Sequence, residues 1–262
     1  MSTQMFELRT WATHAMLFVV AISSAALLMG TSGCENADFM RDSVTVADSA
    51  TVSSPIDEQN ASVIIGDDAT VSEPISTRNG AIRIGERTQV ESVESRNGAV
   101  RLAGQNQTGD LSTRNGAIRI GEATTVNGSV QARNGAITIG ATTTIAGTVE
   151  TRNGAIEMEA GSQVDGSVLT RNGRITLTGT TVGESVESRN GTITLREGTV
   201  VRGNVVLLMC NTSITSPPTL HIDAESRVEG RLILHEQVDV DIEGGADVPE
   251  VERYPDCEAW EG

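Results

Sequence analysis

The sequence predicts an all-β chain folded as a single-stranded β-solenoid. Three observations predict it: a tripeptide that recurs at nearly constant spacing, period-2 alternation on either side of it, and a near absence of rings. Arg-Asn-Gly occurs seven times, with its Asn at 79, 97, 115, 134, 153, 172 and 190 and steps of 18 or 19 residues. A fixed period of this length marks a repeat architecture. Aromatics are 2% of the 262 residues, and positions 40 to 253 contain none. A compact domain of that size fills its core with Phe, Tyr and Trp. This segment has Val, Ile, Leu and Ala instead, which suits a thin stack of β-branched side chains.

One unit reads approximately V-x-G-x-V-x-x-R-N-G-x-I-x-I-G, as in Val126 to Gly140. Apolar and polar residues alternate in Val149-Glu150-Thr151 and in Ala136-Ile137-Thr138-Ile139; period 2 means strand. Arg-Asn-Gly between the strands reads as a turn, with Asn tolerating the left-handed region and Gly adopting positive φ. Glycines such as Gly121 and Gly140, then Gly128 and Gly147, mark two more corners. Short strands separated by three corners make one coil, and a coil buries its apolar face only by stacking on another. Ile82, Val100, Ile118, Ile137, Ile156, Ile175 and Ile193 are then expected to form one interior column. The pattern extends back to Val63-Ile64-Ile65-Gly66 and forward to Val228-Glu229-Gly230-Arg231-Leu232, interrupted by an insertion at Ser213 to Leu220. This gives about nine coils of 18–19 residues over residues 61–245. Residues 34–60, rich in Ser, Thr, Asp and Ala, read as a flexible tether, and residues 246–262 as an acidic tail or cap.

The address is read at the N-terminus. Residues 15–30 form an apolar run of 16, short for a spanning helix of about 20 residues and suited to the core of a signal peptide. Ser32-Gly33-Cys34 follows and resembles the lipobox of bacterial lipoproteins; Thr31 stands where that family prefers Leu. The resemblance implies removal of residues 1–33, lipid on Cys34, and an exported chain held on a bacterial membrane. Several acyl chains at about 0.8 kcal/mol per buried CH₂ would make that attachment stable. Three Cys are present. With Cys34 acylated, Cys210 and Cys257 remain as a disulfide or two thiols; an oxidising compartment favours the disulfide.

The stretch from Ser62 to Ile242 resembles a bactofilin-type β-helix in its coils near 18 residues, its V-x-G-x-V corner (Val126-Asn127-Gly128-Ser129-Val130) and its Ile-Gly corners. That resemblance implies a right-handed rather than left-handed solenoid and end-to-end polymerisation without nucleotide. Bactofilins are typically cytoplasmic, whereas this chain opens on an export signal. A looser resemblance is to the exported adhesin-like β-solenoids of bacterial lipoproteins. The left-handed hexapeptide helix, with its three hexads per 18 residues, loses phase across Arg133-Asn134-Gly135 and in every 19-residue coil.

Two columns are candidate functional features. Arg78, Arg96, Arg114, Arg133, Arg152, Arg171 and Arg189 should align on one corner, with Arg83, Arg101 and Arg119 as a shorter second column. Such a stripe either binds an extended envelope polyanion or is a structural ladder balanced by Glu94, Glu150 and Glu187. Guanidiniums about 4.8 Å apart repel by about 1 kcal/mol per pair in water before screening. Asn79, Asn97, Asn115, Asn134, Asn153, Asn172 and Asn190 are expected to point inward as a structural amide ladder.

Catalysis has little support. Beyond the signal, His221 and His235 are the histidines, with Asp223, Glu225 and Glu236 nearby in sequence, and they read as surface side chains. No nucleophile elbow, phosphate loop or zinc spacing is present, so no cofactor or metal is expected. Acidic residues outnumber basic ones 35 to 19, for a net charge of -16, and every basic residue is Arg. This balance argues against a nucleic-acid partner. The sequence therefore reads as a non-enzymatic, lipid-anchored scaffold that self-assembles end to end, or as a polyanion-binding module.

Overall fold

The computed structural model describes residues 43–210 and 217–255. They form 32 strands of two to four residues and no helix. Each turn of the chain lays one strand in each of three sheets, of 11, 10 and 11 strands. The first sheet runs from Ser43–Val46 to Asp239–Ile242, the second from Thr51–Val52 to Arg227–Val228, and the third from Ile56–Glu58 to Val251–Tyr254. Neighbouring strands are parallel and in register, as in Val63, Ile82, Val100 and Ile118. The fold is a parallel β-solenoid of about 11 turns, about 50 Å long at the usual interstrand spacing.

Alternation decides what enters the core. In Ile82-Arg83-Ile84 the two Ile point inward at 0% and 3% exposure, and Arg83 points out. The column from Ile82 through Ile193 is fully buried, and Leu220 continues it. Val126, Ile145 and Val164 fill the second sheet's inner side, and Val130, Val149 and Val168 the third's. A parallel sheet packed against two others in this way needs an apolar row on each inner face, and the repeat supplies it.

The left-handed corner is not where the sequence placed it. Among the described residues, none of the seven Asn of Arg-Asn-Gly has positive φ, nor does any of its seven Gly. Positive φ falls instead at the corner between the first and second sheets: Ser49, Asp68, Arg87, Gln105, Ala123, Thr142 and Glu197 have φ of 53° to 61°. Gly161 and Gly179 take this place in two other coils, and Gly198 takes it in the coil of Glu197, directly after that residue. The glycine of the tripeptide is required by close approach. A Cβ on Gly98 would lie 1.8 Å from the Gly80 carbonyl oxygen, and one on Gly135 would lie 1.8 Å from that of Gly116.

Three boundaries also move. The solenoid has about 11 turns, against the nine counted from the repeat. Residues 43–60 are not a tether: they form a complete coil, with Val46, Val52 and Ile56 buried in the core columns. Ser43, Thr45 and Thr51 are the outward half of a strand pattern and Ser49, Ser53 and Ser54 lie at corners, a mixture that composition alone reads as a polar linker. At the other end, Val251–Tyr254 pairs in register with Leu232–His235, so the third sheet runs into the expected tail. The insertion also ends earlier than read, because Thr219–Ile222 is already a first-sheet strand with Leu220 fully buried.

Candidate functional site

The Arg-Asn-Gly corner joins the third sheet to the first. A third-sheet strand ends on a buried Thr or Ser, such as Thr77, Ser95, Thr113 or Thr151. Arg follows, pointing out; Asn takes the bend; Gly stacks on the Gly below. Backbone N–H groups keep bonding from coil to coil through the bend: Arg96 donates to the Thr77 carbonyl at 2.9 Å and Asn97 to that of Arg78 at 2.9 Å. The corner is therefore as regular as the sheets it connects.

The Asn side chains form an unbroken amide ladder. Asn79 Nδ2 donates to Asn60 Oδ1 at 2.8 Å, and each later Asn donates to its predecessor at 2.8 or 2.9 Å up to Asn190. Asn190 Oδ1 accepts the Cys210 backbone N–H at 2.9 Å. The ladder does not point inward as the sequence suggested: Asn79 through Asn172 are exposed and Asn190 is half-buried. The stacked glycine backbones leave no room for an amide inside the corner. Buried hydroxyls fill that space instead. Thr77 Oγ1 donates to the Ala61 carbonyl at 3.0 Å, Ser95 Oγ to Gly80 at 3.1 Å, and Thr151 Oγ1 to Gly135 at 2.9 Å. Sequence reasoning missed this hydroxyl row, although a Thr, Ser or Ala one place before each Arg was there to be seen. It also missed Asn60, which occurs as Gln-Asn-Ala rather than Arg-Asn-Gly.

All seven Arg of the corner are exposed. Among the described residues, none of them forms an ion pair within 4.0 Å, and neither do Arg83, Arg101 or Arg119. Ion pairs lie elsewhere: Arg87 with Asp68 and Glu86, Arg227 with Glu229 and Asp247, Arg231 with Glu252. Glu94, Glu150 and Glu187 occupy the outer face of the third sheet, in register with Ser112, Gln131 and Leu169. They line shallow concavities with Arg114, Arg133, Arg152 and Arg189. Burial pushes the Glu187 carboxyl above its ordinary value, against the attraction of Arg189.

The remaining candidates are dispersed. His221 sits on the first sheet with Nδ1 2.9 Å from Asp241 Oδ2, whereas His235 is on the third sheet. His235 is buried rather than on the surface, and its Nδ1 accepts the Gln237 N–H at 3.1 Å. Asp223 lies at a first-to-second corner, Glu225 beside it, and Glu236 follows His235 on the third sheet. Among the described residues no group of three His, Cys, Asp or Glu is arranged to hold a metal, and no helix is long and apolar enough to cross a membrane. Cys34, Cys257 and the apolar run at 15–30 lie outside the described residues. Compared with protein-family models, curated proteins and solved structures, the chain matches none.

Proposed function

We propose that the mature chain is a non-enzymatic structural rod of the bacterial cell envelope, anchored through lipid on Cys34 and joining copies end to end. The observation that carries this reading is the uninterrupted stack. Among the described residues all three parallel sheets begin on a strand paired on one side only, and the first and third also end on one, while the last strand of the second makes a single bridge from Arg227 to Asp247; such edges recruit further strands. The bactofilin and lipobox resemblances support the same reading. So does the separation of His221 from His235 on different sheets. A Cys210–Cys257 disulfide belongs to the proposal. Leu234 lies over Leu207 in the third sheet, and Val251–Tyr254 lies over Leu232–His235. The chain thus returns to the side of Cys210 three residues before Cys257.

Intact mass of membrane-extracted protein tests the anchor: loss of residues 1–33, added acyl chains and two missing hydrogens are expected. An unmodified full-length mass would refute it. Electron microscopy of the purified mature chain tests assembly, and single rods at every salt concentration would remove the end-to-end element.

A further inference from the structure

Charge is segregated around the rod within residues 62–120, whereas Asp57, Glu150, Glu157 and Glu187 lie on the same faces in other coils. Residues 62–120 contain seven Arg and seven carboxylates. Arg87 is tied to Asp68 and Glu86. The other six, Arg78, Arg96, Arg114, Arg83, Arg101 and Arg119, flank the third-to-first corner. Asp67, Asp68 and Glu86 lie at the first-to-second corner, and Glu73, Glu91 and Asp110 at the second-to-third. Glu94 alone shares the Arg side. The three face Arg stack directly in register, Arg83 under Arg101 under Arg119, and all six are exposed.

We infer that this face is a binding site for a linear, hydrophilic polyanion laid along the rod axis, a glycan bearing carboxylate or phosphate groups. Like charges stacked at strand spacing repel, and the described carboxylates come no closer than 4.0 Å to relieve it. A row of ligand anions relieves it, and guanidinium forks match carboxylate and phosphate oxygens. The corner column from Arg78 to Arg189 spans six strand spacings, about 29 Å, so a polymer meets it better than a single ion does. The second Arg column makes the three coils nearest Arg78 the strongest part of the field. Between the two columns runs the exposed Asn ladder. Each of its amides spends one N–H and one lone pair on its neighbours and keeps one N–H for solvent or for ligand hydroxyls. Alanines 81, 99 and 117 are the apolar residues of this corner, and no ring lies there. That composition favours a hydrated polymer over insertion into a bilayer. The inference stands independently of anchoring and assembly.

The mature chain is titrated with fluorescent polygalacturonate and with linear polyphosphate at 50 mM and 300 mM salt, with neutral dextran and anionic phospholipid vesicles alongside. Binding to at least one of the two polyanions is expected, weakening at least tenfold at the higher salt. The Arg83→Ser/Arg101→Ser/Arg119→Ser variant and the Arg78→Ser/Arg96→Ser/Arg114→Ser variant should each lose tenfold or more at 50 mM. Arg152→Ser/Arg171→Ser/Arg189→Ser should lose threefold or less. Melting curves establish that the variants, all at exposed positions, remain folded. No binding to either polymer, equal losses in all three variants, or tighter binding to vesicles than to both polymers would each overturn the assignment.

Discussion

At the residue scale, the columns expose substitutions that break the local rule. Thr108 stands between Val90 and Val126 in a core column, is 1% exposed, and its Oγ1 has no hydrogen-bond partner among the described residues. A buried hydroxyl without a partner costs about 1–3 kcal/mol. Thr108→Val should therefore raise unfolding free energy by about 1 kcal/mol, measured by chemical denaturation; a loss would mean that the hydroxyl is satisfied in solution. Thr142 is a β-branched residue at φ 55°, a position where Gly161 and Gly179 sit in two other coils. Left-handed backbone costs an L-residue about 1–2 kcal/mol, and glycine entropy takes back about half of that. Thr142→Gly should gain roughly 0.5 kcal/mol, and a lower melting point would contradict the strain. The repeat made these columns legible in advance, but not their dihedral angles. Asn-Gly suggests positive φ by chemistry, and here the pair is selected by a backbone approach that only stacked coordinates reveal.

At the scale of the element, the Arg-Asn-Gly corner holds two sheets together through backbone contact. Gly135→Ala should cost about 3 kcal/mol, at the upper end of overpacking penalties, because its Cβ would meet a backbone oxygen at 1.8 Å. Gly244→Ala, with nothing within 4 Å of its added Cβ, is the matched control and should be close to neutral. Equal melting shifts for the two would deny the close approach its role. The corner at Asp223 depends on charge. Partial burial raises its carboxyl pKa, but hydrogen bonds from the Ser226 hydroxyl and from the Glu197, Glu225 and Ser226 N–H groups outweigh this and bring it below the ordinary carboxylate value. The sign follows from linkage: this group stabilises the fold fully above its unfolded pKa, and the contribution is lost as pH falls through the lower folded value. The drop in melting temperature between pH 5 and pH 2 should be smaller in Asp223→Asn than in the parent. An identical drop would remove Asp223 from the account. Strand positions in these elements were readable from alternation. The first coil was not, because it lacks the tripeptide and only Asn60 betrays it.

At the scale of the molecule, stability is a sum over coils and the interfaces between them. Deleting residues 116–134 joins Asn115 to Gly135 and restores Arg-Asn-Gly, removing one coil without disturbing register. The shortened chain should fold, with unchanged circular dichroism shape and a lower melting midpoint; a random-coil spectrum would show that the coils are not interchangeable. The number of coils was undercounted from the sequence because both ends depart from the repeat while keeping its apolar period. The charge segregation was half legible: the Arg column followed from spacing, but its distance from the carboxylates depended on where each corner falls.

Every amide in the Asn ladder donates toward the N-terminal end, and every strand is parallel to the next. The rod is thus an arrow: its ladder begins at Asn60, whose oxygen accepts from Asn79, and finishes at Asn190, whose oxygen accepts the Cys210 backbone N–H. Copies joined tip to tail along this axis would meet at a heterologous junction, and such a fibre would have two chemically distinct tips, growing at unequal rates, whereas copies joined nose to nose about a two-fold axis would give a fibre without direction.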